Sequence, residues 1–117
     1  MPEVIRFDQS AADVVENYGA SGVRSVHLAS GSGRAHTSVL HFEPGGFIGT
    51  HETGFGQLFV VVSGNAWVDV AGDRVDLASG QAVVIQRGVL HSKGSENGGT
   101  VVMVQMFDVE NGSNKGS

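Results

Sequence analysis

Glycine spacing constrains this chain more than any other feature. Eighteen of its 117 residues are glycine, about twice the usual share, and they punctuate the chain instead of pooling in a linker. Between them lie short runs rich in β-branched residues, among them QLFVVVSG, NAWVDVAG, QAVVIQ and GTVVMVQMFDV. Alternation within these runs selects strands over helices, because Ala66, Val68 and Val70 fall on one face while Trp67, Asp69 and Ala71 fall on the other. Gly64-Asn65 and Gly72-Asp73 have the character of tight hairpin turns between such strands. The pattern predicts an all-β fold, a small antiparallel barrel or sandwich. One helical signal stands apart: Ser10-Ala11-Ala12-Asp13 has the form of a capping box and predicts a turn or two of helix before Gly19.

Composition removes several function classes. A chain of this length holds one domain with a real core, and 40% hydrophobic residues with a net charge of −5 describe a soluble globular protein. Seven Lys and Arg, scattered without a basic run, give no phosphate-tracking face, so no nucleic-acid partner is expected. The N-terminus MPEVIRFDQS is too polar for a signal peptide and no apolar run reaches the length of a membrane span. These features predict a cytoplasmic protein with no membrane partner. The absence of Cys removes disulfides and thiolates, leaving imidazole, carboxylate and amide groups as the available ligand chemistry. The tail ENGSNKGS, residues 110–117, carries no apolar side chain and is predicted to be disordered.

Two blocks of glycine and histidine carry the most specific information. The first runs Gly45, five residues, His51, Glu52, Thr53, three residues, Gln57, six residues, Gly64; the second runs Gly80, five residues, Gln86, Arg87, Gly88, two residues, His91, three residues, Ser95. Both spacings resemble the two signature motifs of the cupin barrels. Gly45, His51, Gly64, Gly80, Gly88 and His91 agree by residue type, whereas Thr53, Gln57, Gln86 and Ser95 stand where that family usually has His, Glu, Pro and Asn. The fifteen residues between Gly64 and Gly80 suit the small single-domain prokaryotic cupins. The resemblance implies a jelly roll, or double-stranded β-helix, over residues 22–109, with residues 1–21 contributing to a barrel edge or a dimer contact.

It also implies a divalent metal held by His51, Gln57 and His91, two imidazoles and an oxygen on adjacent strands. Gln57 keeps the carbonyl oxygen of the usual Glu but not its charge, so the ion is expected to be weakly held, zinc or nickel before iron. A metal-free pocket remains the alternative. Strand alternation puts Thr53 on the same inward face as His51, and His41 reaches the cavity if the face it shares with Val39 is the inner one. Phe55 and Phe59 either line the ligand pocket or fill the core. His27 and His36 are not placed by these patterns.

The expected function is the binding of a small organic ligand in the barrel. The alternative is a metal-dependent enzyme of the cupin type, an isomerase, cyclase, lyase or dioxygenase acting on a small molecule; acid/base chemistry by His51 and His91 without metal is a third class. A homodimer is expected, with Val4–Phe7 and the residues near His27 at the shared edge.

Overall fold

The protein is described from a computed structural model covering residues 2–112. Among these residues the chain forms ten strands: β1 (Ile5–Arg6), β2 (Asp13–Val14), β3 (Arg24–Ser25), β4 (Ala29–Phe42), β5 (Phe47–His51), β6 (Gly56–Val70), β7 (Asp73–Ala78), β8 (Gln81–Ile85), β9 (His91–Gly94) and β10 (Gly99–Asn111). All pairings are antiparallel. One layer runs β1-β8-β6-β10-β4, and β2 pairs separately with β3. The other layer is built on the second half of β6, which pairs with β7 on one side and with β9 on the other, and β9 in turn pairs with β5.

β6 therefore belongs to both layers, and Gly64 is where it crosses. Gly64 has φ +71°, in the left-handed region that favours glycine. A Cβ there would meet the backbone of Gly98 and Gly99. Residues 57–61 pair with β8 and β10, while residues 65–70 pair with β7 and β9. The hairpin expected at Gly64-Asn65 is thus a bend within one strand. The second expected turn is shifted by one residue: Ala71 and Gly72, both at positive φ, link Val70 to its partner Asp73. Two central residues at positive φ are what a two-residue hairpin requires.

The core lies between the layers. Phe59, Val61, Val83, Ile85 and Val101 from the first layer meet Ala66, Val68 and Leu77 from the second, with Leu40 and Phe42 packed against them. Residues 57–61 of β6 are buried on both faces, because Leu58 and Val60 pack with Ala82 and Val109 beneath Ile5, Phe7 and Leu28. The N-terminal segment thus covers the back of the first layer. It does so without the expected helix. Around Ser10 there is only a 3₁₀ turn, Gln9–Ala11, held where Ser10 bonds to Asp8 and Arg6 reaches both. Local side-chain bonds of this kind compete with helix continuation.

At the C-terminus β10 runs to Asn111, and the Gly112 N–H donates to the Leu28 carbonyl. Residues 110–112, expected in a disordered tail, are therefore strand or anchored to it, because pairing with β4 satisfies their backbone. Residues 113–117 of that expected tail lie outside the described residues.

Candidate functional site

Register fixes which side chains share the interior. Gln57 stands opposite Ile85, and Lys93 stands opposite both Val68 and Ile48. His91 pairs with Val70 and with His51. Directly opposed residues share a face, and Ile85, Val68 and Val70 belong to or pack on the inter-layer core. His51, Gln57, His91 and Lys93 therefore all point between the layers. The two imidazoles lie with ring centroids 4.7 Å apart.

Hydrogen bonds orient the rings. His51 Nδ1 is 2.7 Å from the Gly49 carbonyl oxygen and His91 Nδ1 is 3.1 Å from that of Val89. A carbonyl only accepts, so each Nδ1 carries the proton and each Nε2 presents a lone pair. His91 is 1% exposed, and that burial holds its imidazole below the usual range, offset in part by the Val89 carbonyl and reinforced by the neighbouring Lys93 ammonium. Beside it, the Lys93 ammonium donates 2.7 Å to Gln57 Oε1 and lies 3.0 Å from His91 Nε2. Lys93 is also 1% exposed, and burial alone pushes its pKa down from 10.5 to about 8. The amine is still mostly charged at neutral pH. Its two partners are neutral, and among the described residues no carboxylate bonds to it.

This donor set does not fit a divalent metal. Of the three atoms expected to ligate one, Gln57 Oε1 and His91 Nε2 already contact an ammonium. A dication placed about 4 Å from that charge would be opposed by roughly 8 kcal/mol at an effective dielectric of 20. Among the described residues no group of three or more His, Asp or Glu gathers.

The remaining expected site residues separate. Thr53 lies beyond the end of β5, in the loop 52–55, where its hydroxyl accepts from the Phe55 N–H at 3.3 Å and its carbonyl accepts from Gly88. Strand alternation from His51 does not reach it. His41 is exposed on β4, bonded to Thr100 Oγ1 at 3.2 Å, on the face opposite Leu40 and Phe42. Its expected place in the pocket is corrected, since those two apolar neighbours take the inner face. Phe59 is fully buried among core aliphatics and 6.5 Å from the Phe42 ring, so it fills the core. Phe55 is half-buried with its ring edge-on to His36 at 5.5 Å. Ser95, at the usual Asn position, donates to the Asn65 carbonyl at 2.7 Å and accepts from the Gly98 N–H, which pins a turn.

Two residues on the inward-facing side escaped the sequence reading, Lys93 buried and His36 exposed. Lys93 is two residues from His91 on a strand, so alternation already assigned it the same face; lysine is so seldom fully buried that the signal carries little weight beforehand. His36 forms a cross-strand row with Gln105 and Gln57. Alternation puts it on the face of Leu40 and Phe42, four and six residues further along β4, and the packing of those two residues against the core makes that face the inner one. A groove of about 650 Å³ lined by Ser30, Ser32, Gln86, Asp108 and Glu110 contains none of the four interior polar residues, so the chemistry points to the barrel interior instead.

The comparisons agree with this geometry. The family model described as a cupin domain matches residues 38–109. Among solved structures, a conserved protein of unknown function from Streptococcus pyogenes matches at 21% identity and TM-score 0.60, over 62% of this chain and 63% of that one. The chain thus spans less than two thirds of that relative. A cupin superfamily protein from Desulfitobacterium hafniense matches at 17% and 0.61, over 69% and 77%, and KdgF from a Halomonas species at 20% and 0.57, over 68% and 74%. No curated protein matches. Antiparallel layers joined through a bent β6, both glycine-bearing motifs, and the paired His51 and His91 at their hearts place this chain in the cupin family.

Proposed function

We propose that this cupin binds a small organic ligand at the His51–His91 end of its barrel, through a polar centre that works without a metal. The contact of Lys93 Nζ with both Gln57 Oε1 and His91 Nε2 carries this reading. In a metal-dependent cupin the ion supplies positive charge and the protein supplies lone pairs. Here an ammonium supplies the charge, and Gln57 and His91 supply the lone pairs. The metal-dependent enzyme suggested by the motifs would require Lys93 to leave. His51, half-buried and with its Nδ1 held by the Gly49 carbonyl, is the group best placed to meet a ligand through Nε2.

Calorimetric titration of zinc and nickel tests the reading. Wild type should show no micromolar binding, whereas Lys93→Ala, which frees Gln57 and His91, should bind at least about tenfold more tightly, or about 1.4 kcal/mol. Stoichiometric micromolar zinc in the wild type would overturn it. We also propose a homodimer, because β4, fourteen residues long, is an outer strand of its layer and among the described residues pairs on one side only, with β10, and such edges invite a second copy.

A further inference from the structure

We propose that the ligand is a small organic carboxylate, whose anionic oxygen takes the spare N–H of the Lys93 ammonium. This rests on the metal-free reading above and specifies its ligand class. An ammonium has three donors; two are committed, to Gln57 Oε1 and His91 Nε2. Both partners are neutral, so among the described residues the ammonium is bonded to no counter-charge. Such a charge is costly when dry, and an anion resolves it where a neutral ligand does not. Glutamine at position 57 matters here. A carboxylate in its place would neutralise Lys93 from within the protein, whereas the amide accepts a hydrogen bond and leaves the charge for a ligand.

His51 extends the specificity. Its Nδ1–H is held by the Gly49 carbonyl, so Nε2 accepts and favours a ligand that carries a hydroxyl beside its carboxylate. A 2-hydroxy acid presents both groups on adjacent carbons, the anionic oxygen for Lys93 and the hydroxyl for His51.

The probe is glycolate, with glycolamide as its neutral twin, measured by saturation-transfer NMR and calorimetry on the full chain. Glycolate should bind at least about tenfold more tightly than glycolamide, and Lys93→Gln, which keeps a hydrogen-bonding side chain but no charge, should abolish the difference. Lys93→Met serves as a second uncharged variant should the first fail to fold, with folding checked by thermal melting. Equal binding of acid and amide, unchanged preference in the uncharged variant, or no binding of glycolate at millimolar concentration overturns the proposal. Amide binding that is lost in His51→Ala but not in Lys93→Gln would overturn the carboxylate assignment while leaving the metal-free pocket standing. Micromolar zinc binding by the wild type would remove both.

Discussion

Stability should rise with pH on the alkaline side because of one residue. In the fold the Lys93 ammonium is pushed down to about 8, from an ordinary 10.5. Its charged form is therefore disfavoured in the folded state, and the unfolded chain holds more protons between those two values. Stability is then complete above about 10.5 and is lost as pH falls through about 8. At 1.36 kcal/mol per pH unit, that gap corresponds to about 3 kcal/mol, a large part of the stability of a domain this size. Lys93→Met should remove the effect. At neutral pH the variant escapes the buried charge but leaves Gln57 Oε1 and His91 Nε2 without a donor, at roughly 1–3 kcal/mol each, so the two proteins should be of comparable stability. At pH 10.5 the neutral amine still donates, and wild type should lead by about 3 kcal/mol more than it does at pH 7. Urea unfolding followed by the fluorescence of Trp67, the only tryptophan, measures both proteins across the range. Parallel stability curves for wild type and Lys93→Met between pH 7 and 10.5 would refute the buried-charge argument, since other alkaline groups are common to both.

The remaining predictions test separate links. His91, held low mainly by burial, contributes stability above about pH 6.5 that is lost as pH falls through its lower folded value; His91→Gln should flatten that acid limb in the same urea series. Gln57→Glu alone should pair with Lys93 and gain no zinc affinity, whereas Gln57→Glu with Lys93→Ala should bind zinc more tightly than Lys93→Ala, as calorimetry would report. Phe59→Ala, at a fully buried core position, should cost about 3–5 kcal/mol. Gly64→Ala, at φ +71° against the Gly98 backbone, should cost roughly 1–3 kcal/mol for its backbone conformation, and more from the clash, by denaturant unfolding. Sedimentation equilibrium at micromolar concentration should return a dimer.

Strand content and the two motif blocks were legible in the sequence because both are local. Alternation reports a half-buried strand wherever one occurs, and His51 and His91 sit on adjacent paired strands as their spacing implied. Among the motif glycines, Gly45, Gly64, Gly80 and Gly88 all take positive φ, whereas Gly46, beside Gly45, does not. What local pattern could not supply was the meaning of each position in space. Gly64-Asn65 reads as a hairpin when only its neighbours are seen, and becomes a bend once β8 and β10 claim one half of β6 while β7 and β9 claim the other. His41 and His36 lie on the same strand, and only the packing of Leu40 and Phe42 into the core decides that His36 shares the inner face and His41 does not.

Lys93 marks the limit most clearly. The sequence determined that it shares a face with His91, two residues away. Only the tertiary structure brought Gln57 from another strand to 2.7 Å of its ammonium, with Val68 and Ile48 on the paired strands opposite it. Ligand residue types were written in the chain, but whether their lone pairs face a metal or an internal cation depends on a contact between residues 36 positions apart. Burial and charge compensation are properties of that assembled interior, and no local pattern encodes them.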